Sequence, residues 1–203
     1  MRASFVSALA LAAVAVAAGL GSPASELSAQ SQNKVREDFT AFAINMNSGP
    51  STATVDIRIE RWSTDAEREQ LLGILKEGEG KDKYRTNQTL LKALQKMKKV
   101  GFIRTPDRLA WDLRYARENP MEEGGRQIVV ATDRPVGFWE ARNQPRSMDY
   151  PFTIVEMRLN KENKGEGKLL AGTQIYIDQK TNNLVLENYA QQPVRLNEIR
   201  PLK

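Results

Sequence analysis

The stretch Leu109-Ala110-Trp111-Asp112-Leu113-Arg114-Tyr115-Ala116 decides the fold class. Leu109, Trp111, Leu113 and Tyr115 alternate with smaller or charged residues, a period of two that marks a strand with one buried face. Asn119-Pro120 breaks the pattern and Gly124-Gly125 supplies a turn. The run Ile128-Val129-Val130-Ala131 follows as a second strand. The segment 109–138 therefore reads as the middle hairpin of a mainly β domain.

The pattern repeats outward in both directions. Phe39 to Met46 reads as a strand, Asn47-Ser48-Gly49-Pro50 as a turn, and Val55, Ile57 and Ile59 as one face of the strand that pairs back. Short strands are expected at Phe102–Thr105, Tyr150–Leu159 and Leu184–Tyr189, and a last one at Val194–Ile199. Leu169, Ala171, Thr173, Ile175 and Ile177 read as one long strand, preceded by a charged turn at 161–168. Between the second and third strands the period changes to that of helices. Thr64-Asp65-Ala66-Glu67 fits a capping box and leads into the stripe Leu71, Leu72, Ile74 and Leu75. A second helix carries Leu90, Leu91, Leu94 and Met97, with Asn87 as its cap and Gly101 just past its end. The glycosylation-like triplet Asn87-Gln88-Thr89 reads as that cap.

These signals predict an antiparallel β-barrel or half-barrel of about eight to nine strands, with a helical pair at about 64–100 inserted after the second strand. A β-sandwich is the alternative. The helices are expected to cover a barrel mouth or one open edge. Nothing has the βαβ rhythm of a parallel sheet.

Met1-Arg2, an uncharged alanine-rich run from Ala3 to Leu20 and the break Gly21-Ser22-Pro23 read as a cleaved export leader over 1–29, with an uncleaved membrane anchor as the alternative. Residues 30–36 read as a flexible lead-in and 37–203 as a single β-rich domain. The expected location is the periplasm or the outside of the cell. No cysteine stands at the junction to carry a lipid.

Of 203 residues, none is cysteine and none is histidine. Thiolate sites, histidine-ligated zinc and Ser-His-Asp or Cys-His catalysis are therefore impossible. No catalytic residue, metal site or cofactor is predicted. The net charge of +5 permits an anionic partner without demanding one. Gly165-Glu166-Gly167 lies in a charged turn and opens no helix, so it is not a phosphate-cradling loop. Export and the balancing acids argue against nucleic acid.

Candidate ligand-binding residues are Trp62, Trp139, Arg142, Arg146, Arg114 and Arg117. Trp62 and Trp139 sit at element ends, where a tryptophan fills the core or lines a pocket rim; Trp111 reads as core. The arginines either pair with acids on a solvated sheet face or clamp an anion. The loop Trp139-Glu140-Ala141-Arg142-Asn143-Gln144-Pro145-Arg146 collects an aromatic, two arginines and two amides. Glu118, Glu140, Asp149 and Glu156 could supply a hydrolytic carboxylate pair, but no spacing selects two of them.

The phrases 57–64 (Ile-Arg-Ile-Glu-Arg-Trp-Ser-Thr), 111–117 (Trp-Asp-Leu-Arg-Tyr-Ala-Arg) and 131–139 (Ala-Thr-Asp-Arg-Pro-Val-Gly-Phe-Trp) together resemble a group of exported bacterial proteins of unknown function. The resemblance spans most of 37–203 and implies no activity and no site. A barrel with a two-helix cap is also similar to intracellular lipid-binding proteins, which place their helices after the first strand. The expected function is an exported, non-catalytic barrel that binds an apolar or amphipathic ligand inside, with arginines near the mouth for an acidic head. The alternatives are an envelope structural or interaction protein without a pocket, and a carboxylate-dependent hydrolase.

Overall fold

A computed structural model describes residues 36–45, 51–78, 82–105, 110–121, 124–136, 151–171, 173–178, 183–188 and 194–202. The leader over 1–29, nearly all of the lead-in, the turn at 47–50 and the loop 137–150 lie outside them.

Among the described residues ten strands and two helices follow in the order β1 (Glu37–Asn45), β2 (Ser51–Ile59), α1 (Asp65–Gly78), α2 (Lys83–Lys96), β3 (Gly101–Arg104), β4 (Ala110–Pro120), β5 (Arg126–Thr132), β6 (Thr153–Leu159), β7 (Gly165–Ala171), β8 (Thr173–Asp178), β9 (Asn183–Asn188) and β10 (Val194–Pro201). Eight strands close a barrel in the order β1-β10-β7-β6-β5-β4-β3-β2, every pair antiparallel. Thus the chain is an up-and-down barrel with two insertions: the helical pair after β2, and the β8–β9 hairpin, a separate two-stranded sheet between β7 and β10. The run from Leu169 to Ile177 is not one strand; β7 ends at Ala171 in the barrel and β8 begins at Thr173 in the separate hairpin. The supposed turn at 161–168 is shorter, because β7 already begins at Gly165.

The inward positions follow the two-residue period. Phe39, Ala41 and Ala43 of β1, Val55, Ile57 and Ile59 of β2, Ile128 and Val130 of β5, and Val155, Met157 and Leu159 of β6 pack into one cluster with Leu113, Leu169, Leu196 and Ile199. Glycine stands where neighbouring backbones crowd. A Cβ on Gly167 would lie 2.5 Å from the Glu156 carbonyl oxygen, and one on Gly101 would lie 1.9 Å from that of Arg58. Gly101 therefore opens β3 and does not end α2; the helix stops at Lys96, with Met97 as its cap. Asp82, not Asn87, caps the start of α2, its carboxylate accepting from the Tyr84 N–H at 3.0 Å. The capping box of α1 forms as expected: Glu67 accepts from the Thr64 N–H at 2.8 Å, and the Thr64 hydroxyl accepts from the Glu67 N–H at 3.2 Å.

The expected placement of the helices over a mouth or edge is corrected. They lie on the outer wall, over β4, β5 and β6. The continuous run Ile128 to Ala131 explains why: Ile128 and Val130 point into the barrel, while Val129 and Ala131 point out and pack with Ile154, Phe152, Leu75, Leu90, Leu94 and Met97 in a second cluster. A strand apolar on both faces needs a cover on the outside, and the amphipathic pair supplies it. At Arg114 the β4–β5 register slips, with Leu113 opposite Thr132 but Tyr115 opposite Ala131. This bulge turns Tyr115 outward to the helices, so it does not share the inner face of Trp111 and Leu113.

Leu113→Ala, which empties a fully enclosed position, should cost about 2–5 kcal/mol in urea unfolding. Phe42→Ala, on the exposed outer face of β1, should cost about 0.5 kcal/mol. Similar losses at the two positions would mean that the interior is not the packed core described.

Candidate functional site

Two clefts border the helical insertion. The first is an apolar slot of about 70 Å³ between the helices and the outer wall. Leu71, Leu72 and Leu75 come from α1, Leu90 and Leu94 from α2, and Val129, Ala131 and Ile154 from β5 and β6. Phe152 closes one side, and Tyr115 lies against Arg68, Arg117 and Asn119 on the rim. Burial pushes the Tyr115 phenol above its ordinary range, against the pull of Arg68 and Arg117. It therefore stays a neutral donor at physiological pH.

The second cleft is polar, holds about 550 Å³ and lies at the barrel end from which the helices emerge. Trp62, Thr64, Asp65, Arg117, Glu118 and Arg126 are among its walls. Its floor is an ion-pair network across the barrel mouth. Arg126 on β5 and Glu37 on β1 stand four strands apart in either direction, so they face each other across the diameter. Arg126 donates to both Glu37 oxygens at 3.0 and 2.5 Å, to Glu118 at 2.8 Å and to Asn163 at 3.0 Å, and lies over the Phe39 ring. Burial would lower the guanidinium's pKa, but the two carboxylates outweigh it and hold the group above its ordinary value. This end of the apolar interior thus carries a charged guanidinium held by two carboxylates.

Three of the predicted site residues can be placed, and the two arginines among them serve the seam between barrel and helices. Trp62 is buried in the barrel core at the rim of the polar cleft. Arg117 pairs with Asp65 at 2.8 Å and donates to the Ser63 carbonyl at 3.3 Å, tying β4 to the start of α1. Arg114 donates to Asp133 at 2.9 Å and to the Met97 carbonyl at 3.4 Å, tying the same strand to the end of α2. Trp139, Arg142 and Arg146 lie outside the described residues. The structure brings Trp62 and Arg117 to one cleft and leaves Arg114 outside the walls of both.

Three contributors are not among the candidate residues chosen from the sequence. Arg61 donates to both Glu67 oxygens at 2.9 Å and to the carbonyls of Lys98 and Lys99 at 2.9 and 3.3 Å, clasping the two ends of the insertion. Arg126 and Glu37 carried a readable sign: each is charged at a strand end on the inward parity, in step with Ile128 and Val130 and with Phe39 and Ala41.

Among the described residues the acids show no arrangement for proton transfer, and Glu140 and Asp149 lie outside them. Hydrogen bonds from Arg61 hold Glu67 below the usual carboxylate range, and the Lys99 ammonium does the same for Asp112. For Asp38 and Glu156, burial pushes the carboxyl up, but Arg58 and Arg36 on the one and Arg158 and Gln127 on the other bring it below that range. Glu118 and Asp65, which line the polar cleft, are ion-paired with Arg126 and Arg117. Among the described residues no acidic cluster is placed to hold a metal ion.

The depressed pKa of Glu67 fixes the sign of a pH effect. Its pairing stabilises the fold above the carboxyl's unfolded pKa and is lost as pH falls through the lower, folded value. Glu67→Gln should cost about 1 kcal/mol at neutral pH and flatten the acid limb of stability against pH. An acid limb unchanged in urea unfolding would contradict this account of the clasp. Compared with protein-family models, curated proteins and solved structures, the chain finds no match.

Proposed function

We propose that the protein is an exported, non-catalytic β-barrel module that binds an amphipathic anion on the outside of its barrel. The observation that carries this reading is the apolar slot between the helical pair and β4–β6, with Arg68 and Arg117 on its rim. An apolar seat with a few polar groups at one side is the usual build of a small-molecule site. The filled interior moves the seat from inside the barrel, where the strand pattern alone would put it, to the outer wall. The leader-like segment 1–29 supports export to the periplasm or beyond.

At about 70 Å³ the slot has room for the end of a hydrocarbon chain and not for a whole one. A longer chain enters only if the helices lift from the wall. The helices are joined to the barrel through a cluster of their own, so lifting them leaves the inner core intact.

The small volume also favours a second reading. An envelope protein partner could insert one apolar side chain there, and no free ligand would be needed. Carboxylate-dependent hydrolysis gains no support from the geometry, since the acids lining the larger cleft are ion-paired.

The test is displacement of a fluorescent fatty acid, together with native mass spectrometry of protein purified from its own host. The reading predicts a co-purifying amphipathic acid and saturable probe binding. Ala131→Phe, which fills the slot from the β5 side, should weaken binding at least tenfold while the barrel stays folded. Absence of probe binding, or an Ala131→Phe variant that binds as well as the parent, would remove the slot as the site.

A further inference from the structure

One helix and the residues just past its end carry a run of positive charge with no acid in it. From Lys83 to Lys99 there are six lysines and arginines and no aspartate or glutamate, against a net charge of +5 for the whole chain. The helix beside it differs: α1 carries Asp65, Glu67, Glu69 and Glu77 against Arg68 and Lys76.

The helical period sorts these charges. Leu90, Ala93, Leu94 and Met97 of the α2 segment are buried against the barrel side. Arg85, Thr89, Lys92 and Lys96 are exposed at spacings of four, three and four, which aligns them in one stripe on the solvent side. That stripe runs about 16 Å, and exposed Lys98 continues the basic segment past its end. Among the described residues no carboxylate lies within ion-pairing distance of Lys92, Lys96 or Lys98, unlike the arginines of the barrel wall. Tyr84, at the start of the same helix, is 45% exposed.

We propose that α2 is a docking face for an anionic lipid surface, along which the helix lies parallel to the membrane plane. A helix with an apolar face already committed to the barrel cannot insert deeply, so the attraction is mainly electrostatic, with Tyr84 reaching the headgroup level. A flat anionic surface matches Lys92, Lys96 and Lys98, exposed and without a carboxylate among the described residues, on the helix that also exposes Tyr84. The inference does not depend on what the slot holds. It does place the slot, whose walls include Leu90 and Leu94 of this helix, next to the lipid.

The test is vesicle flotation of the full chain as its own host produces it. Vesicles of phosphatidylcholine alone are compared with vesicles containing phosphatidylglycerol, at low and high salt. The triple variant Lys92→Gln, Lys96→Gln, Lys98→Gln keeps good helix formers at each position, and circular dichroism checks that it folds. The proposal predicts binding to phosphatidylglycerol vesicles that falls steeply with salt. In the triple variant the partition should fall on the order of 100-fold, about fivefold per lysine. Equal flotation with neutral vesicles, no flotation with anionic ones, or an unaffected triple variant would overturn it. So would binding to a single-stranded oligonucleotide that is as tight and as dependent on these lysines as binding to the vesicles, since the face would then recognise polyanions in general.

Discussion

The backbone seam between β1 and β10 is the constraint on which the rest depends. These strands stand near the two ends of the described chain, and their pairing, from Phe39 opposite Pro201 to Ile44 opposite Arg195, turns a meander into a ring without a free edge. Closing the ring has two consequences. β10 must lie beside β7, so the chain between them leaves the barrel as the β8–β9 hairpin. The interior also becomes finite, and side chains such as Phe39, Ile57, Leu113, Met157 and Leu196 fill it.

In the proposed binding reading, a filled interior puts the seat outside the barrel. At the end near the helices, Arg126 reaches across to Glu37 and Glu118, satisfying inward-pointing charges that would otherwise be stranded at the edge of an apolar core. The outer wall then becomes the usable surface. On most of it polar residues pair with one another, as Arg104 does with Asp56. Over β4–β6 the wall is apolar and carries the helical pair, held at its ends by Arg61, Arg114 and Arg117. Those contacts to backbone carbonyls fix the ends of the insertion, while Leu75, Leu90 and Leu94 in its middle pack against Val129, Ala131 and Ile154 of the wall.

Features carried by local pattern were legible in the sequence. The alternation Val55, Ile57, Ile59, the capping box from Thr64 to Glu67 and the hairpin spacing led to an antiparallel barrel with helices after the second strand. What escaped was set by distant contacts. The extra residue at Arg114 reverses the face of Tyr115, yet it leaves the apparent alternation unbroken. The run through Leu169 and Ile177 reads as one strand, because only the demand of β10 for a partner divides it. Asn87 is as good a cap residue as Asp82, and the choice between them depends on where the helix packs. In the candidate site, Arg114 and Arg117 were recognisable as arginines in need of partners. That those partners are helix ends became readable only once β4 was seen to run beneath both.

Closure of the ring can be tested directly, because the chain has no cysteine of its own. Thr40 and Arg200 face each other across the seam, and such pairs lie within the Cα span of a disulfide. Oxidising the double variant Thr40→Cys, Arg200→Cys should give one intramolecular cross-link in nearly every molecule, read by mass spectrometry after proteolysis. The control Thr40→Cys, Arg104→Cys, whose two positions are not paired with each other, should stay reduced. Failure of the seam pair to cross-link while the protein remains folded would mean that the sheet is open, and the case for a sealed interior and an outer-wall site would fall with it.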